Sequence, residues 1–338
     1  MSDPVVTLAH GAGAGETRAL VDRLLGGRFD VQAEAAVGLA ARDDGAVLSD
    51  GDGDVVVTTD SHVVDPPEFP GGNLGTLAVA GTVNDLAVMG ATDPLGLTVG
   101  LVVEAGTPVS RLEATVDSMA ETCRRAGCPV VGGDTKVMDS GEIDGVVVNT
   151  TGVGRVPPGE AVAGAPEPGD AVIVSGTVGD HGITLLAERE SFAFESRLES
   201  DVAPVNDLVA AALAAGEVTA MTDPTRGGLA TALHELVGDE RGMTIRERDV
   251  PVDDAVAGAG ELLGIDPMQI ACEGRIVATV APRSAEAVRD AIQDCPLGTE
   301  AAIVGEVTAS HPGRVVLDTG LGERYLQEPS GRTLPRIC

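Results

Sequence analysis

Aromatic residues are nearly missing from this 338-residue chain, which has no Trp, one Tyr and four Phe. Basic charge is scarce as well: 22 Lys plus Arg stand against 53 Asp plus Glu, for a formal charge of −31. That balance excludes a general nucleic-acid binder, which needs a basic face. Lysine is rarer still, with Lys136 the single one among the 22 basic residues. An acidic, Lys-poor, Val- and Ala-rich composition resembles that of proteins from salt-loving organisms, where high ionic strength screens self-repulsion. Where lysine has been avoided almost everywhere, the one that remains either does work that Arg cannot do or survives by chance on the surface.

The five cysteines (123, 128, 272, 295 and 338) contain no CxxC pair, and their odd number does not describe a disulfide framework. No uninterrupted apolar run approaches the ~18 residues of a membrane span. Met1-Ser2-Asp3-Pro4 lacks the basic stretch and apolar run of a signal peptide, so the expected location is the cytoplasm. Gly and Pro together make 65 of 338 residues, fewer than in low-complexity chains, and describe a folded protein with many turns. At about 150 residues per domain the length accommodates two, each able to bury its own core.

What is present reads as two α/β halves. β-Branched runs at 54–64 and 145–154 predict strands, and between them the periodicity predicts helices over 73–90 and 109–126. Strands are expected at 95–103 and, briefly, at 129–131. A Pro- and Gly-rich segment at 156–169 interrupts every pattern and marks the junction. Beyond it, strands at 170–175, 243–247, 275–280, 301–308 and 314–318 alternate with helices near 180–190, 204–215, 227–237, 253–263 and 284–294. The expected domains are 1–156 and 168–325, with a mobile tail over 326–338. No repeat of solenoid period is found.

The helix at 73–90 places Ala78, Gly81, Thr82, Asp85 and Met89 on one stripe. An aspartate among small apolar residues is costly if buried unpaired, so it should bind something positive. Asp43-Asp44-Gly45, Asp60 and Asp134 add carboxylates at the ends of apolar segments or in Gly-rich turns. Oxygen-only clusters suit Mg²⁺, which commonly bridges carboxylates to substrate phosphates. A nucleotide triphosphate approaching so acidic a chain needs intervening cations, and no GxxxxGK[ST] loop is present. The lone lysine instead lies in Gly132-Gly-Asp-Thr-Lys136. Turns at His10–Gly15, Pro70–Gly72 and Arg226–Gly228 are candidates to bring backbone N–H groups to phosphate oxygens, although ordinary turns use the same residues. Glu273 stands before an apolar strand, either as a reactive carboxylate or as a loop partner of Arg275. His10, His62 and His181 have no zinc-ligand spacing, so polar packing or substrate contact is the reading for them. Cys338 is the last residue, and a thiol on a flexible arm can carry a substrate at high effective concentration.

Together these segments resemble the HypE family of hydrogenase maturation factors, within the aminoimidazole ribonucleotide synthetase-like ATP-binding proteins of PurM-like fold. The resemblance rests on Leu8-Ala-His-Gly-Ala-Gly13, Thr59-Asp-Ser-His62, Phe69-Pro-Gly-Gly-Asn-Leu-Gly75, Gly81-Thr-Val-Asn-Asp-Leu-Ala-Val-Met-Gly90 and Gly133-Asp-Thr-Lys136. Ser175-Gly-Thr-Val-Gly-Asp-His-Gly182, Asp223-Pro-Thr-Arg-Gly-Gly228 and the terminal Pro335-Arg-Ile-Cys338 complete it, the last being the segment that singles out this family. It implies an α/β (α+β) two-domain fold that dimerises through the N-terminal sheet. The implied activity is ATP-dependent dehydration of a thiocarbamate on Cys338 to a thiocyanate, the source of a cyanide ligand for nickel–iron hydrogenase. The implied partners are the carbamoyltransferase HypF and the HypC–HypD complex. Carried over by motif, Asp44, Asp85 and Asp223 are the Mg²⁺ candidates, and Asp44, Asp60, Asn84, Asp85, Gly133, Asp134 and Thr135 the ATP-site candidates. Lys136 and Glu273 stand near the carboxamide, with Glu273 a general base and Lys136 either a charge stabiliser or a proton donor.

Three positions depart from the pattern. Cys272 replaces the usual Asn before the glutamate, Arg275 replaces the Lys after it, and Ala14 stands where a second Gly is common. Two alternatives to the dehydratase stay open at this point: a sister ATP-dependent enzyme such as a selenophosphate synthetase or small-molecule kinase, and a non-catalytic thiol carrier.

Overall fold

The computed structural model describes residues 5–7, 10, 15–25, 35–38, 41, 43–49, 53–190 and 198–329. The first half contains α1 (Gly15–Leu25), β1 (Ala35–Val37), β2 (Ala46–Ser49), β3 (Asp54–His62), a small ribbon of β4 (Glu68–Phe69) and β5 (Gly72–Asn73), and α2 (Leu74–Val88). It continues with β6 (Pro94–Glu104), α3 (Val109–Ala126), β7 (Val130–Met138) and β8 (Val146–Val156). Six strands form one sheet in the order β1-β2-β3-β8-β6-β7, antiparallel except for β6 and β7. Asn73 caps α2 by accepting from the N–H groups of Gly75 and Thr76, which fixes where the helix starts.

α2 is apolar on every side, and the architecture explains why. Leu74, Ala78, Val79 and Val83 pack with α3 and the sheet, while Leu77 and Ala80 pack with the second domain's Ile183 and Leu185. Ala87 and Val88 join Ile173, Val205 and Leu208 in another core. A helix buried between two sheets needs no polar face. Its close approach to the first sheet depends on glycine: a Cβ on Gly152 would lie 2.7 Å from Thr82 Cγ2, and one on Gly81 2.9 Å from His62 Cε1.

The second half has β9 (Ala171–Val174), α4 (Asp180–Arg189), α5 (Asn206–Ala215), β10 (Val218–Thr222), α6 (Gly228–Val237), β11 (Gly242–Arg246) and α7 (Asp254–Leu263). β12 (Val277–Val280), α8 (Ala285–Gln293), β13 (Ala302–Thr308), β14 (Arg314–Asp318) and β15 (Glu323–Leu326) follow. The sheet order is β10-β12-β9-β13-β11-β14-β15, with only β11 and β14 parallel. The two mixed sheets with their helices form an α/β two-domain fold, and the junction at 156–169 lies between β8 and β9 as irregular chain. No helix among the described residues is long and apolar enough to cross a membrane.

Two expectations are corrected. The short strand at 129–131 runs on as β7 to Met138, so Gly133, Asp134, Thr135 and Lys136 lie in a strand rather than a Gly-rich turn. Parallel pairing of Val99 with Gly133 and Val102 with Lys136 overrides the local turn composition. The chain also stays packed beyond 325. Leu326 is buried in β15, its carbonyl lies 3.0 Å from His234 Nε2, and Pro329 is buried too.

Candidate functional site

β3 alternates its side chains, so Thr58, Asp60 and His62 share one face. They line a cavity of about 340 Å³ together with Asp44 before β2, Asp85 on α2 and Asp223 after β10. Thr225 and Arg226, in the turn leading to α6, and Glu273, in the loop before β12, complete its polar wall. Both domains therefore contribute, and α2 is the element they share.

Asp44, Asp85 and Asp223 each offer a carboxylate oxygen, and these oxygens lie within 4.8 Å of one another. Thr58 donates to Asp85 Oδ2 at 2.8 Å, but Asp44 Oδ2 and Asp223 Oδ2 are buried with no hydrogen-bond partner. Burial raises all three acids above the ordinary carboxylate range, and their mutual repulsion adds to it. Asp223 is pushed up to about 7, by burial first and then by Asp60. Orphaned buried oxygens on converging carboxylates are the donor set of a hard divalent cation, and Mg²⁺ fits it. These three residues would hold such an ion.

Glu273 is buried, and burial, followed by Asp223, Asp201 and Asp60, holds its carboxyl well above the usual range. Its backbone is clamped from both domains. The Glu273 and Gly274 N–H groups donate to the two oxygens of Asp201 at 3.1 and 3.2 Å, while the Glu273 carbonyl accepts from Ala203 N at 3.3 Å and Asn84 Nδ2 at 3.2 Å. Arg275 braces Asp201 at 3.7 Å and donates to the Thr177 carbonyl at 2.9 Å. Arg275 thus serves the loop through Asp201, and Glu273 is not its ion-pair partner among the described contacts. Cys272, in the Asn position, is buried, and its sulfur accepts from the Gly179 N–H at 3.2 Å.

The other expected residues separate. Asn84 does not line the cavity: its amide donates to the Ala203 and Glu273 carbonyls, and its oxygen accepts from Val205 N at 2.8 Å. It staples the two domains through these bonds. Asp60 faces the cavity, and its register partner Thr150 pairs in turn with Val99, which pairs with Gly133. Three strand spacings, about 14 Å, therefore separate Asp60 from the Gly133–Lys136 segment in one chain. Pro70–Gly72 is likewise no free phosphate cradle, because the Pro70 carbonyl accepts from Ser200 N at 2.9 Å and a Cβ on Gly71 would meet Ser200 O at 2.6 Å. His10 lies in a local turn with Thr7. Cys338, Ala14 and Gly11–Gly13 lie outside the described residues.

Thr58 and Asp201 are further residues of the site, beyond those expected from the sequence. Thr58 shares the strand alternation of Asp60, so its place on the cavity face was available from the pattern. Asp201 was not, since only the packing of its loop reveals the bond to Glu273.

His181, beneath this wall, illustrates how burial sets protonation. It lies edge-on to Phe69 with ring centroids 5.3 Å apart, bonds Ser200 Oγ at 2.7 Å, and burial holds its pKa down at about 4. A folded pKa below the unfolded one means that the unfolded state takes up the proton first as pH falls. Stability due to neutral His181 is therefore complete above about pH 6.5 and is lost progressively down to about pH 4, on the order of 3 kcal/mol in all. Chemical denaturation at pH 7 and pH 4.5 should show His181→Gln flattening that acid limb relative to wild type. An unchanged limb would refute the assignment.

Comparison with known proteins places this geometry in a family. Residues 42–156 match the AIR synthase related protein N-terminal domain, and residues 167–318 match its C-terminal domain. The chain is 44% identical over 338 residues to the carbamoyl dehydratase HypE of Rhizobium leguminosarum bv. viciae, covering 98% of this chain and 95% of that one. The crystal structure of a HypE–HypF complex matches with TM-score 0.84 at 38% identity, covering 92% of this chain and 100% of the other. A HypE crystal structure in complex with ATP matches with TM-score 0.81 at 38% identity, covering 99% of this chain and 100% of the other. Thiamine monophosphate kinase from Aquifex aeolicus, at 18% identity and TM-score 0.62, shares the fold alone. With both domains matched and nearly its whole length aligned to enzymes of one kind, the chain belongs to the HypE family of carbamoyl dehydratases, built on the two AIR synthase related domains.

Proposed function

We propose that this enzyme uses MgATP to dehydrate a thiocarbamate on its own Cys338 to a thiocyanate, supplying the cyanide ligand of a nickel–iron hydrogenase. The observation that carries the reading is the convergence of Asp44, Asp85 and Asp223 beside buried Glu273. Such a site binds a metal-bridged phosphate next to a carboxylate with high proton affinity. A bound Mg²⁺ supplies charge neutralisation for the triphosphate and fixes its orientation.

The chemistry balances as follows. The carboxamide oxygen attacks the γ-phosphorus, and the bond from that phosphorus to the ADP oxygen breaks, so ADP leaves with the electron pair. Loss of the two N–H protons then drives cleavage of the C–O bond, leaving S–C≡N on the cysteine and releasing phosphate. Glu273 accepts one of those protons as a general base, and the other leaves with phosphate. Burial raises the proton affinity of Glu273, the direction a proton acceptor requires.

Delivery of the cysteine starts from Pro329, the last of the described residues. Buried Pro329 packs on the turn that bears Arg226, since a Cβ on Gly227 would lie 3.3 Å from Pro329 Cγ. Nine residues separate Pro329 from Cys338, a reach of up to about 30 Å. HypF is the expected source of the carboxamide group and the HypC–HypD complex the acceptor of cyanide.

A homodimer formed through the N-terminal sheet is part of the same proposal. β7 is exposed along Val130–Val137, and Val130, Val131 and Val137 are 49%, 67% and 65% exposed, an apolar edge that a second copy would cover. Lys136, Gly133, Asp134 and Thr135 would then serve a site completed between two copies, with Lys136 stabilising charge on the transferred phosphoryl group.

Mass spectrometry of the C-terminal peptide tests the reading. After loading by HypF and incubation with MgATP at high salt, the carboxamide on Cys338 should lose one water as ATP becomes ADP and phosphate. An intact carboxamide would leave the chain a thiol carrier.

A further inference from the structure

Among the described residues, Arg226 is the one permanently cationic side chain lining a cavity whose other charged walls are Asp44, Asp60, Asp85, Asp223 and Glu273. It acts electrostatically on both Asp223 and Glu273, opposing the rise in their proton affinity. It lines the same cavity as the metal corner and Glu273, the space a phosphoryl group would occupy. His62, the other nitrogen base there, has its proton affinity lowered by burial. Lys136, the basic residue expected from the sequence, stands three strands away in the same chain.

The backbone around Arg226 adds to this placement. Gly227 and Gly228 have φ of +82° and +60°, and a Cβ on them would meet Thr231 Oγ1 at 2.0 Å and the Ile270 carbonyl at 2.4 Å. Only glycine allows the turn to close so tightly onto α6 and the loop before Glu273. The turn is tied further by Thr225 N to the Asp223 carbonyl and Gly228 N to the Thr225 carbonyl, both at 2.9 Å. It presents the N-terminal end of α6, with its partial positive charge, beside the guanidinium.

We infer that Arg226 is a catalytic residue of the phosphoryl transfer, binding the equatorial oxygens of the group as it passes from ADP to the carboxamide and holding the phosphate that leaves. This rests on the MgATP reading above. A guanidinium offers a planar fork of donors, charged at every accessible pH, which suits a bidentate grip on phosphoryl oxygens. In the resting enzyme the same charge offsets part of the cost of burying Asp223 and Glu273 together.

The test compares MgADP with MgADP plus aluminium fluoride, a mimic of the transferring phosphoryl group, on the full chain. Arg226→Gln should bind MgADP within about threefold of wild type yet lose affinity for the aluminium fluoride complex by about 100-fold, with kcat falling about 10²- to 10³-fold. Arg226→Lys, which keeps the charge without the fork, should fall between. A purely structural role would weaken both complexes equally. Equal trapping by wild type and both variants would overturn the assignment and leave the dehydratase reading standing, whereas failure of wild type to form the complex at all would overturn both. Should Arg226→Gln fail to fold, the same ratio measured on Arg226→Lys decides.

Discussion

Asp85→Asn should abolish turnover and yet make the metal-free protein more stable. Three carboxylates within 4.8 Å of one another repel until a cation arrives, and Asp44 Oδ2 and Asp223 Oδ2 lack any hydrogen-bond partner. Replacing one with an amide removes repulsion and adds a donor for a neighbouring orphan oxygen, a gain of about 1–3 kcal/mol. In EDTA the variant should melt several degrees above wild type, at about 2–4 °C per kcal/mol. Adding Mg²⁺ should reverse the order. Wild type gains RT ln(1 + [L]/Kd), about 2.7 kcal/mol at a hundredfold excess over Kd, while the variant gains little. ADP formation should fall by about 10³-fold or more, the loss of several kcal/mol of charge stabilisation. Mg²⁺ stabilising Asp85→Asn as much as wild type would place the ion elsewhere.

Glu273→Gln should lower thiocyanate formation by about 10²- to 10⁴-fold while leaving the affinity for MgADP nearly unchanged. The substitution keeps the volume of the side chain and touches none of the bonds that hold the loop. Those bonds, from Asp201 to the Glu273 and Gly274 N–H groups and from Ala203 and Asn84 to the carbonyl, are made by the backbone. The effect is therefore that of the missing base. Mass spectrometry of the tail peptide over time gives the rate directly, and an unchanged rate of water loss would remove Glu273 from the mechanism. Measured together, the two substitutions separate a defect in holding the triphosphate from a defect in moving the proton.

Elements whose pattern is local could be read from the sequence. The helix expected over 109–126 is α3, and β3, β6, β8, β9, β13 and β14 lie on the apolar runs that announced them. Elements stabilised mainly by their neighbours were missed. β10, the strand Val218–Thr222, follows the Ala-rich α5 after only Gly216 and Glu217, and it owes its form to pairing with β12. β7 extends through a Gly-Gly-Asp sequence because β6 supplies a row of backbone partners. Leu326, the last residue of β15, falls in the expected tail over 326–338, yet the pairing of β15 with β14 keeps it buried.

The same division runs through the site. Composition alone established that a triphosphate needs cations here, because a charge of −31 repels it. The apolar stripe around Asp85 established that this carboxylate requires a positive partner. Packing decides which acids converge: α2 lies between the two sheets and brings Asp44, Asp85 and Asp223 together, while the amide of neighbouring Asn84 is bonded at the domain interface. Lys136, so conspicuous by its rarity, sits on the opposite edge of the first sheet, and Arg226, one Arg among many in the sequence, lines the cavity. Local patterns encode periodicity, burial and the need for a counter-charge. The direction from which that charge arrives depends on contacts between residues far apart in the chain, and these exist only once both domains have closed around α2.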